Sequence, residues 1–198
     1  MRIVLAHAVV LWLATPGLAA DTYVIDRTQS EARFEISYLA STVVGRLRDI
    51  SGSINLDFAN PTASSVKFSI KVSSVDTGSE ALDRLLCSPD FLHTKKFSQM
   101  TFQSSHIKST TSTDVYQVVG DLTLRGVTKP VKLWVEVGGA VAHTSGLPRA
   151  HFKAKTTLNR RDYGINWHEI VDRGVLVGDA VQVTVNLVAL KHTPDQSK

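Results

Sequence analysis

Cysteine is almost missing from this chain. Cys87 is the only one in 198 residues, so no disulfide can form within the chain whatever its compartment permits. The fold must therefore stand on buried apolar surface, which one domain of this size supplies without staples. No apolar run reaches the roughly 20 residues that a membrane-spanning helix needs. Basic clusters interleaved with aromatics are also missing. The 22 Lys and Arg are scattered among 18 acids, for a net charge of +4, and this pattern gives no reason to expect a nucleic-acid partner. It leaves transient contact with an anionic membrane surface compatible with the sequence, and a homodimer likewise.

Signatures of catalysis are equally scarce. There is no Gly-x-Ser-x-Gly elbow for an activated serine, and acids alternate with bases instead of pairing with one another. Outside the first residues the histidines are His93, His106, His143, His151, His168 and His192, and none forms a His-Glu-x-x-His zinc motif. His168-Glu169 lacks the second His four residues on. No metal, no cofactor and no catalytic residue are expected. Cys87 follows Leu85 and Leu86, where a packed, inert thiol is the ordinary outcome.

The first residues are a leader in pattern. Met1-Arg2 supplies a positive start, Ile3 to Leu13 is apolar apart from His7, and small residues follow to Ala20 before the charge at Asp21. This reads as a signal peptide over residues 1–20, cut after Ala19 or Ala20, with a mature domain over 21–198 exported to the periplasm or secreted. No cysteine near the cut offers a thiol for lipid attachment. The tail from His192 to Lys198 is polar and is expected to be disordered.

Within the mature region, apolar and polar residues alternate with period two. Ala32, Phe34 and Ile36 alternate with Glu31, Arg33 and Glu35, and Val66, Phe68, Ile70 and Val72 with Lys67, Ser69 and Lys71. The pattern returns at Val131, Leu133, Val135 and Val137, and again at Val181, Val183, Val185 and Leu187. These are half-buried strands. Turn signals such as Asn60-Pro61, Lys129-Pro130, Gly138-Gly139 and Ser145-Gly146 separate strands too closely for helical crossovers, so the sheet is expected to be antiparallel. One helix is expected over Ser79–Leu86, with Leu82, Leu85 and Leu86 on one face, and a short turn over Pro89–Leu92. Alternation alone leaves a closed barrel and a two-layer sandwich equally open.

Several segments carry a resemblance. Tyr23-Val24-Ile25-Asp26 with Ser30, Phe34-Glu35-Ile36, Val44-Gly45 and Gly52-Ser53-Ile54 open the series. Ser74-Val75-Asp76-Thr77-Gly78, Ser88-Pro89-Asp90-Phe91 and Met100-Thr101-Phe102 continue it. The longest stretches are Gly120-Asp121-Leu122-Thr123-Leu124-Arg125-Gly126-Val127-Thr128-Lys129-Pro130-Val131 and Thr157-Leu158-Asn159-Arg160-Arg161-Asp162-Tyr163-Gly164-Ile165, followed by Leu176-Val177-Gly178-Asp179-Ala180-Val181. In this order they resemble the YceI family, exported lipocalin-like barrels that bind polyisoprenoids and related long-chain lipids. The chain departs from the family at Gln29, Tyr38 and Leu85, where His is common, at Leu82 and at Cys87.

The resemblance implies an all-β fold: an antiparallel eight-stranded lipocalin-like barrel with a short helical segment closing one end. It also implies a long-chain isoprenoid or similar lipid as partner, held for transport, storage or sequestration. Two other readings stand beside it: an enzyme acting on a lipid or small carbonyl compound in the same cavity, and an adhesion or stress-response module. Strand parity puts Phe34, Ile36 and Tyr38 on one candidate cavity wall and Phe68 and Ile70 on another. Phe91, Phe102, Phe152, Tyr163 and Trp167 are further aromatic candidates. Of the pair Arg160-Arg161, at most one can face a ligand head group if the segment is a strand, and Arg161 is taken as that candidate. The competing reading of this pair is an Arg-Asp clamp at a strand end.

Overall fold

The computed structural model describes residues 20–141, 147–166, 170–171, 174–175 and 177–193. The expected leader up to residue 19, Trp167 and the tail beyond Thr193 lie outside the described residues.

The alternating segments are strands, in the order β1 (Asp21–Ile25), β2 (Glu31–Tyr38), β3 (Ser41–Leu47), β4 (Ile50–Leu56), β5 (Ser65–Lys71), β6 (Val75–Asp76), β7 (Gln99–Ser109), β8 (Val115–Leu124), β9 (Val127–Val141), β10 (Arg149–Asn159), β11 (Ile170–Val171), β12 (Gly174–Val175) and β13 (Val177–Lys191). Helix α1 (Glu80–Cys87) lies between β6 and β7.

Pairing decides between barrel and sandwich. The C-terminal half of β13 pairs with β1, Tyr23 opposite Lys191, and its N-terminal half pairs with β2, Phe34 opposite Val183. In the same way β4 lies beside β1 and β3 beside β2, while β5 lies beside β4 and β6 beside β3. Thus β1 and β2 are two halves of one broken strand, as are β3 and β4, and β5 and β6. Counted this way, eight antiparallel strands run as a meander, and the ring closes where β13 meets β1 and β2. Closure leaves the lower wall without an edge strand.

The three breaks are linked, and motif residues fill them. Across the first, Val188 of β13 would lose its partner. Its N–H instead donates to the buried Ser30 hydroxyl at 3.1 Å, and its carbonyl accepts from Asp26 N–H at 2.8 Å. At the second, Asp49 C=O accepts from Lys71 N–H at 2.9 Å, and Asp49 N–H donates to Ser74 Oγ, in the third break, at 3.3 Å. The Arg27 guanidinium reaches from the first break to the Asp49 carboxylate. Backbone groups that leave the ladder are thereby satisfied, as buried ones must be.

At one end of the barrel lie the β2–β3 hairpin, α1 with the segment that follows it, the β8–β9 turn and the chain leaving β10. Arg125 and Gly126 form that turn with φ of 53° and 75°, the paired positive values of a type I′ hairpin. Arg125 donates to Pro89 O at 2.8 Å and Gly164 O at 2.7 Å, tying three of these segments together. The helix runs one residue beyond the expected Ser79–Leu86. Ser79 is its N-cap, accepting from Leu82 N–H at 3.5 Å, and Asp83 accepts from Thr77 N–H and Oγ1 at 2.8 and 2.7 Å. The expected turn after it is present, with Leu92 N–H donating to Leu86 O at 2.9 Å. No described helix is long and apolar enough to cross a membrane.

Candidate ligand-binding site

Inward parity converts these strands into a cavity of about 550 Å³ inside the half of the barrel nearest α1. Its size lies within the usual range for small-ligand sites, about 300–1,000 Å³. Phe34, Ile36 and Tyr38 of β2 line one side, Phe68 and Ile70 of β5 another, and Val181, Val183 and Val185 of β13 a third. Phe34 lies flat on β3 because its cross-strand partner is Gly45. A Cβ built at Gly45 would fall 2.2 Å from Phe34 Cζ, so only glycine leaves space for the ring.

The floor is aromatic. Phe68 and Phe102, opposite each other on β5 and β7, stack with centroids 5.3 Å apart and planes at 27°, beside Leu133 and Ala154. The roof is α1, whose Leu82, Leu85 and Leu86 all line the cavity, with Phe91 and Leu92 from the following turn. None of the helix residues is fully buried, and Leu85 is exposed. The wall is therefore open beside the helix, and its floor is sealed.

Polar groups are few, and most lie toward the open end. Thr156 faces inward from β10. The 3-10 helix Arg160–Tyr163 then places Arg160 and Tyr163 in the wall together, since residues three apart eclipse in a 3-10 turn. Arg160 is 5 % exposed and its donors are committed: Nε to Gly178 O at 2.9 Å, Nη1 to Ile165 O at 2.6 Å and Nη2 to the Asp179 carboxylate at 3.0 Å. Burial pushes the Tyr163 phenol above its ordinary value, with the Asp162 charge adding to the rise, so the hydroxyl stays neutral. Arg33 also touches the cavity but pairs with Glu35 at 3.0 Å.

The YceI-like domain family matches residues 23–189. The chain belongs to this family. Curated relatives include a UPF0312 protein of Azotobacter vinelandii, 40 % identical over 155 residues, or 77 % of this chain and 80 % of that one. Another is a UPF0312 protein of Shewanella sp. (strain ANA-3), 38 % identical over 156 residues, 77 % of this chain and 81 % of that one. Among solved structures, the YceI protein of Campylobacter jejuni aligns with a TM-score of 0.67 at 25 % identity, over 77 % of this chain and 87 % of its own. Burkholderia cenocepacia BcnA aligns with a TM-score of 0.72 at 24 % identity over 83 % and 98 %. A polyisoprenoid binding domain from Saccharophagus degradans, implicated in plant cell wall breakdown, aligns with a TM-score of 0.65 at 17 % identity over 86 % and 98 %. The last two show the same fold.

Of the residues expected from sequence, Phe34, Ile36, Tyr38, Phe68, Ile70, Phe91, Phe102 and Tyr163 meet in this one cavity. Two do not. Phe152 lines a smaller void deeper in the barrel. Arg161 points outward and holds Asp179 with its Nε at 2.8 Å, while Arg160 takes the inward position. The physical reason is the 3-10 turn, where strand parity no longer applies. The Asp179 carboxylate bridges both guanidiniums, which is the clamp at a strand end. The helix leucines and the β13 valines were visible as apolar faces, but nothing in their spacing told a cavity wall from a packed core. Among the described residues, no three His, Cys, Asp or Glu side chains gather as a metal site. Cys87 does not reach the cavity and packs against the core.

Proposed function

We propose that this protein binds a polyisoprenoid or another long-chain amphiphile, tail inward, and holds it for transport, storage or sequestration in the periplasm. The observation that carries the reading is the polarity gradient of the cavity: hydrocarbon at the floor, with Thr156, Arg160, Tyr163 and Tyr38 toward the open end. A hydrocarbon tail gains about 0.8 kcal/mol for each methylene taken from water, against roughly 4–15 kcal/mol for association and ordering. A tail of many carbons is therefore needed before binding becomes tight. Length, more than hydrogen bonding, supplies the affinity, and the committed donors of Arg160 agree with that. The polyisoprenoid binding domain of Saccharophagus degradans, with the same fold, supports the ligand class.

The leader pattern of residues 1–20 and the family both support export. Loading and unloading would then occur at a membrane surface. Leu39, at the β2–β3 hairpin tip beside the cavity opening, is 62 % exposed and offers an apolar contact there. Mass spectrometry of an organic extract from natively purified protein tests the ligand. A bound long-chain lipid is expected, and protein that retains no lipid and binds none when offered one overturns the reading. N-terminal sequencing of the same material tests export, with a start at Ala20 or Asp21 expected.

A further inference from the structure

The interior of the barrel is divided in two. Beneath the main cavity lies a second void of about 70 Å³, whose lining includes Ile54, Val66, Val118, Val137, Phe152 and Leu187. Phe68, Leu133 and Ala154 line both spaces. The partition between them is therefore formed by residues of β5, β9 and β10. Phe102 faces only the upper space and Phe152 only the lower. Of the three shared residues, only Phe68 carries a ring, and that ring is held by its stack on Phe102.

The lower void is lined mostly by apolar side chains. Its hydroxyls are few, and two are engaged elsewhere: Ser64 Oγ accepts from Asp57 N–H at 2.9 Å and Ser65 Oγ accepts from Asn55 Nδ2 at 3.4 Å. A lining of this kind offers water few partners, and the atoms around it lack contacts on one side. Filling such a space with hydrocarbon is favourable, and of the three side chains between it and the upper cavity the Phe68 ring is the largest.

We infer that Phe68 sets the chain length the protein accepts, by closing the lower void to the distal end of the bound chain. The inference rests on the reading of the upper cavity as a long-chain site. With the Phe68 ring in place the tail stops at the floor. With a smaller side chain the two spaces join, and the tail continues past Leu133 and Ala154 toward Phe152.

The test is displacement of a fluorescent fatty-acid probe by linear prenyl alcohols of increasing length, from geraniol through farnesol and geranylgeraniol to solanesol. For the parent protein, affinity rises with length and then levels off. In Phe68→Leu, and further in Phe68→Ala, the plateau moves to a longer chain, with a gain of about tenfold or more for the next prenyl unit. That figure is conservative, since each newly buried methylene is worth about fourfold before ordering costs. Phe152→Ala widens only the lower void, so alone it leaves the parent plateau in place, and it extends the plateau when combined with Phe68→Leu. The Leu variant retains an apolar core group, and circular dichroism checks that each variant is folded. A folded Phe68→Leu with an unmoved plateau overturns the ruler, as does a shift caused by Phe152→Ala alone. A parent protein indifferent to chain length from the outset overturns the long-chain reading itself, a separate outcome.

Discussion

A carboxylate placed at position 34 tests the cavity more sharply than any deletion. In Phe34→Asp the ring that lies on Gly45 is replaced by an acid facing the cavity. The free protein tolerates this, because Phe34 is only half-buried and the space beside α1 is open to water. Stability falls by about 1–2 kcal/mol, as for an ordinary wall substitution. Binding suffers more. A tail filling the cavity strips water from the acid, and Arg160 is already engaged by carbonyls and Asp179. Burying a polar group without partners costs about 2 kcal/mol or more, and lost ring contact adds about 1 kcal/mol. Together these weaken a long-chain ligand by about a hundredfold or more. The same desolvation raises the pKa of the new acid when ligand is bound. Part of the affinity should then return as the pH is lowered from about 8 to about 5, toward the range where a carboxyl takes up its proton. Probe displacement at the two pH values gives both numbers, and Glu35→Lys, on the outer face of β2, is the control with parent-like affinity. A folded Phe34→Asp that binds as tightly as the parent at the higher pH would refute the facing of β2.

The Arg160 and Arg161 variants should separate clearly in urea unfolding. Arg160→Ala orphans buried carbonyls and loses about 2–4 kcal/mol, while Arg161→Ala, an exposed pair, loses no more than about 1 kcal/mol. Equal losses would undo the placement of the two guanidiniums. Tyr163→Phe should flatten the alkaline limb of the stability profile. With the folded phenol held above 10.0, its contribution is complete below that value and is lost as pH rises from there through the folded pKa, because the unfolded chain ionises first. An alkaline limb as steep in Tyr163→Phe as in the parent, followed by thermal unfolding, would contradict this. Cys87→Ser should keep ligand occupancy and cost no more than about 1 kcal/mol, whereas loss of binding with the fold intact would give the thiol a chemical role.

The strands were legible because one face is wet and one is dry. Phe34, Ile36 and Tyr38 follow one parity with no exception, and Trp134, half exposed outside the barrel next to the inward Leu133, obeys it too. Closure was not legible, because alternation records which face is buried and not what lies opposite. Period two also fails where the chain leaves the strand, and for that reason parity did not show that Arg160 lines the cavity while Arg161 points outward. Phe152 shows a third limit of pattern. It shares the inward face of β10 with Ala154, yet its height in the barrel places it below the floor. Height depends on the stagger of paired strands, which no single segment encodes.

The broken strands bear on where the molecule opens first. Below the breaks the ring of ladders is complete, whereas above them β6 is paired, among the described residues, with β3 alone. The neighbouring gap is covered by α1, a helix with no fully buried residue. Local openings are least costly where buried contacts are few. Amides of α1 and β6 are thus set to exchange with solvent through small fluctuations, and those of β1, β4 and β13 near Val188 only when the whole barrel unfolds. If a lipid tail is held as proposed, it can leave sideways past α1 while the floor stays folded, so that its release need not draw on global stability at all.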